Sequence, residues 1–69
     1  MLSPEQIQAV LSRECEAARD QRAVDVCARL ETALADGHFE RELSDLLAAD
    51  DPITASFAAR IANCVKLHG

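Results

Sequence analysis

Apolar positions recur along this chain with the spacing of helices. Between Asp20 and Gly37 they fall at Ala23, Cys27, Leu30 and Leu34, with Val24 and Val26 widening the face. Steps of three and four residues keep such positions on one side of an α-helix. Gly37 is the expected stop, because a residue without Cβ readily takes the left-handed conformation that closes a helix.

Upstream, Ile7, Val10, Leu11, Cys15 and Ala18 form an earlier stripe. Its start is well marked. Ser3 caps, Pro4 suits the first helical position, and Gln6 completes a Ser-x-x-Gln capping box. Leu2 and Ile7 stand where a hydrophobic staple places them. Between Ala18 and Ala23 the stripe slips, across the polar run Arg19-Asp20-Gln21-Arg22. Two readings follow. Either Asp20 caps a second helix after a tight turn near residues 19–21, or one helix runs from Pro4 to Asp36 with a stripe that winds around it. The break is preferred, since an unbroken helix would leave much apolar surface uncovered in so short a chain.

A third segment spans His38 to Ala49, with Phe39, Leu43, Leu46 and Leu47 on its apolar face. Glu40 and Glu42 near its start suit the positive end of the helix dipole. Asp50-Asp51-Pro52 closes it and opens a last helix, which is expected from Pro52 to about Leu67. The stripe of that helix is Ile53, Phe57, Ile61, Cys64, Val65 and His68, with Ala55, Ala59, Ala62 and Asn63 opposite. The pattern predicts an all-α fold. It is a small three- or four-helix bundle with short connections, in a single domain over residues 1–69.

Composition narrows what such a bundle can do. The chain has 69 residues and 49% apolar content, but only two phenylalanines and neither tryptophan nor tyrosine. Much of the apolar content is alanine, so the core is thin. Small domains of this kind add disulfides, a metal or a partner surface. The three cysteines, Cys15, Cys27 and Cys64, are odd in number, dispersed and without a CxxC pair. They are expected as buried thiols in a reducing cytoplasm and not as a disulfide framework. Met1-Leu2-Ser3-Pro4 has neither a basic stretch nor an apolar run, so no secretory leader is expected, and no run approaches a membrane span.

The net charge of −5 is unevenly spread. Residues 37–51 carry Glu40, Glu42, Asp45, Asp50 and Asp51 against Arg41 alone, while residues 52–69 carry Arg60 and Lys66 and no acid. Phosphate repels an acidic chain, so no nucleic-acid partner is expected. Lys66 is the only lysine. This bias toward arginine and alanine suggests a bacterial or phage genome rich in G and C.

Chemistry finds little support. No pair of Cys or His has the close spacing of structural zinc sites, and Cys64 and His68, one turn apart, are the nearest approach. Neither a metal nor a cofactor is expected. The neighbouring acids Glu40/Glu42 and Asp50/Asp51 do not face each other on a helix and read as capping and helix-start charges. No enzyme is expected.

Two alternatives stand beside these exclusions. Leu43 to Ala49, Asp50-Asp51-Pro52 and Thr54 to Asn63 loosely resemble a helix-turn-helix, with Ser56, Arg60 and Asn63 on the reading face. The turn is doubly acidic and lacks glycine, which opposes DNA. Ser44, in Glu42-Leu43-Ser44-Asp45-Leu46, is similar to the modified serine of acyl-carrier domains. There, however, Asp-Ser-Leu stands at a helix start, and here Leu-Ser-Asp stands inside a helix.

The leading expectation is a small cytoplasmic protein-binding module, a regulator, inhibitor or adaptor. Its partner is another protein, and the chain itself is expected as a homodimer. The last helix has a wide apolar face and small residues behind it. Ile53, Phe57, Arg60, Ile61 and Cys64 are therefore the candidate partner-binding residues.

Overall fold

A computed structural model describes residues 2–65. It contains four helices: α1 (Pro4–Glu16), α2 (Gln21–Asp36), α3 (Phe39–Leu47) and α4 (Pro52–Val65). No strand occurs among the described residues. The expected all-α bundle with short connections is found, in its four-helix form. Leu67 and His68, placed by the periodicity in the last helix, lie outside the described residues.

Each boundary has a local cause. At the start of α1, the Gln6 amide donates to Ser3 Oγ at 3.3 Å and the Ser3 amide donates to Gln6 Oε1 at 2.9 Å, which completes the capping box. The chain breaks after Glu16, so residues 4–36 form two helices. Asp20 opens the second by accepting from the Arg22 amide at 2.8 Å. Gly37 closes it at φ +84°. The Gly37 amide then donates to the Leu34 carbonyl at 3.3 Å and the His38 amide to the Ala33 carbonyl at 2.9 Å. Those two bonds satisfy the last carbonyls of α2 in a Schellman closure. Asp51 opens α4 by accepting from the Thr54 amide at 2.8 Å and from its hydroxyl at 2.9 Å.

Helices α2 and α4 pack on each other at the centre. Both α1 and α3 pack on this pair but not on one another. The core draws Ile7, Val10 and Leu11 from α1, Val26 and Leu30 from α2, Phe39, Leu43 and Leu46 from α3, and Ala58, Ile61 and Val65 from α4. Leu47, read as part of the α3 apolar face, is exposed. It follows Leu46 by one residue, about 100° around the helix, which carries it off the buried side.

The cysteine expectation is overturned. Cys15 and Cys27 form a disulfide, with their Cα atoms 5.9 Å apart, and only Cys64 is free. Separation along the chain misled here. The turn at residues 17–20 folds α2 back along α1, which sets the last turn of α1 against the second turn of α2. The bond supplies the covalent support that so thin a core calls for.

Candidate functional site

The first turns of α4 border a shallow groove with the start of α2. Its lining is Ala23 from α2 with Pro52, Ile53, Ser56, Phe57 and Arg60 from α4, and its volume is about 380 Å³. Ala23 is buried and small, so it forms a floor and leaves room above it. Ile53 stands at the rim with 37% of its surface exposed. Phe57 is half-buried, with one side against the core. An exposed isoleucine beside a half-buried phenylalanine leaves apolar surface that none of the described residues covers.

Arg60 borders this surface but is already engaged. Its Nε lies 2.7 Å from Glu14 Oε1, and Arg13 Nε lies 3.6 Å from Glu14 Oε2. Glu14 is almost fully buried, whereas the Arg60 side chain is 68% exposed. A guanidinium carries five donors in a planar fork. Arg60 therefore ties α4 to α1 with one edge and keeps donors facing water at the groove.

Of the five residues expected to bind a partner, the structure brings Ile53, Phe57 and Arg60 together. Ile61 is removed from that set, since it is wholly buried in the core. Cys64 is half-buried and packs against the core. Each four-residue step along a helix drifts by about 40° around its axis. The steps from Ile53 to Phe57 to Ile61 thus carry the stripe from surface, through the boundary, to interior. The core of α4 is instead Ala58, Ile61 and Val65.

The alternative readings also find their places. Ser56 and Asn63 are exposed, but Arg60, the third member of the would-be reading face, pairs with Glu14. Ser44 is exposed near the middle of α3, away from a helix start.

Two features went unread in the sequence. One is a larger apolar groove of about 540 Å³, lined by Leu2, by Pro4 and Ile7 of α1, and across from them by Leu34, the Gly37–His38 corner and Phe39. The staple pair Leu2 and Ile7 was its one visible sign. The other is a cleft between α2 and α3, lined by Ala28, Arg29, Thr32, Ala33, His38 and Glu42. There Arg29 Nη2 approaches Glu42 Oε2 to 2.6 Å, off the line of a hydrogen bond.

Among the described residues, no group of three or more His, Cys, Asp or Glu is placed to hold a metal ion. His68, paired with Cys64 in the sequence reading, lies outside those residues. Nor, among the same residues, is any helix long and apolar enough to cross a membrane. Comparison with known proteins finds no matching family model, no matching curated protein and no matching solved structure.

Proposed function

We infer that this chain is a small protein-binding module, a regulator, inhibitor or adaptor, that meets its partner through the α2–α4 groove. One observation carries this reading. Ile53 is exposed beside half-buried Phe57, with the free donors of Arg60 at the edge. An apolar centre bordered by a guanidinium is the usual make-up of an energetic anchor in a protein interface. A second copy of the chain is the first partner to consider, giving a symmetric dimer in which each Phe57 lies near the axis.

The setting proposed for this activity is the cytoplasm, with one condition. Cytosolic disulfides are transient or redox-sensing in most organisms. The Cys15–Cys27 bond is compatible with that setting only if it opens and closes there.

Light scattering coupled to size exclusion, over a concentration series, tests the reading with Ile53→Asp as the variant. Ile53 is at the surface, so the variant folds and keeps its helical circular dichroism. The wild type is expected at twice the chain mass at tens of micromolar, and the variant at the chain mass. A wild type that stays at the chain mass removes the homodimer.

A further inference from the structure

The disulfide sits at the least supported edge of the bundle. Helix α1 packs on α2 and α4 but not on α3. Its buried apolar residues, Ile7, Val10 and Leu11, all lie before its last turn. Beyond them two ties hold that end: the Glu14–Arg60 ion pair and the Cys15–Cys27 bond. The next stretch, residues 17–20, is largely exposed and contributes nothing to the core.

The two sulfurs are not equally open to attack. Cys27 is 4% exposed, whereas Cys15 is half-buried. Thiol–disulfide exchange requires a thiolate to reach one sulfur while the other departs. Access directs the attack to Cys15 Sγ, with Cys27 leaving.

We propose that Cys15–Cys27 is a redox latch, opened by a dithiol reductant through Cys15, and that opening frees the last turn of α1 from the bundle. The first thiolate of the reductant bonds to Cys15 Sγ. The bond to Cys27 breaks, and Cys27 departs with the electron pair and takes up a proton. The second thiolate of the reductant then attacks its own partner sulfur. Cys15 departs and is protonated in turn. The reductant ends as a disulfide, having given two electrons, and the chain holds two new thiols. The opened end then keeps the ion pair and the partial packing of Cys15 on the core, and segments with few buried contacts open first. This latch goes beyond the groove reading and does not depend on it.

The test uses the full chain in a dithiothreitol series without denaturant. Thiols are counted by alkylation and mass, and amide exchange is followed by peptide. Millimolar reductant is expected to raise the thiol count from one to three, with Cys15 alkylated before Cys27. Exchange across residues 13–16 is expected to quicken at least ~10-fold more than across α3 and α4. The C15A/C27A variant should show the same raised exchange with no reductant present. A bond that yields only in denaturant overturns the proposal. So does an equal rise in all four helices, or no rise in α1. Loss of the helical signal in C15A/C27A also overturns it, because the bond would then support the whole fold.

Discussion

Arg60 Nε lies 2.7 Å from Glu14 Oε1, and this pair is an ionic tie between α1 and α4. The carboxylate is sheltered and the guanidinium is mostly in water. Breaking a fully buried pair costs about 3–5 kcal/mol. This one is discounted for the exposed arginine and for Arg13, which remains 3.6 Å from the other oxygen. Arg60→Ala is expected to destabilise by about 1 kcal/mol, as for an ion pair with one partner in water. Glu14→Gln, which keeps an acceptor, should cost less. Urea unfolding followed at 222 nm ranks the two, and the reverse order would show that Glu14 gains little from Arg60.

The two isoleucines of α4 should respond differently to the loss of one methylene. Ile61 is wholly buried, so Ile61→Val is expected to cost about 0.5–1.5 kcal/mol. Ile53 is at the surface, so Ile53→Val should stay within about 0.5 kcal/mol. Paired thermal melts measure both. Equal effects would mean that Ile53 is packed after all.

Asp51 makes the start of α4 sensitive to acid. The backbone amide and then the hydroxyl of Thr54 donate to its carboxylate. These bonds, with the nearby Arg22 guanidinium, hold its pKa below the ordinary 3.8. The folded value is the lower one, so the unfolded chain binds the proton first. The contribution of Asp51 is therefore complete above the ordinary value and is lost as pH falls through the depressed one. Wild type and Asp51→Asn should differ in urea midpoint at pH 6 and converge as the pH falls below the ordinary carboxylate range. A gap that persists unchanged to pH 2 would contradict the capping role.

At Gly37 the obstacle is conformational. A Cβ there would meet no atom within 4 Å, yet φ is +84°. Gly37→Ala is expected to cost about 1–2 kcal/mol, the usual penalty of the left-handed region for an L-residue. Gly37→Asn should cost less, because asparagine visits that region more readily. Thermal denaturation of the pair decides it. Equal costs would point to a steric cause.

The ends of the helices were legible because their causes are local. The Ser3–Gln6 box, the Asp20 cap, the Gly37 stop and the Asp51-Pro52 start each involve residues within a few positions of each other. What escaped the sequence depends on partners across the bundle. Glu14 reads as a surface acid until Arg60 is placed beside it. Cys15 and Cys27 look remote until the turn at residues 17–20 folds one helix along the other. On α4 the large apolar residues drift around the axis, and alanines give no sign of which side is buried. Ala58 therefore gives no sign of its place in the core, and Ile61 reads as a contact residue although it is wholly buried.

The Cys15–Cys27 bond also turns the α1–α2 corner into a closed covalent ring. Arg19 and Arg22, both exposed, lie within it. A protease that cuts after either arginine opens the ring but releases nothing, because the sulfurs still join the two pieces. Such a nicked chain migrates as one molecule until a reductant is added, and then separates at the corner.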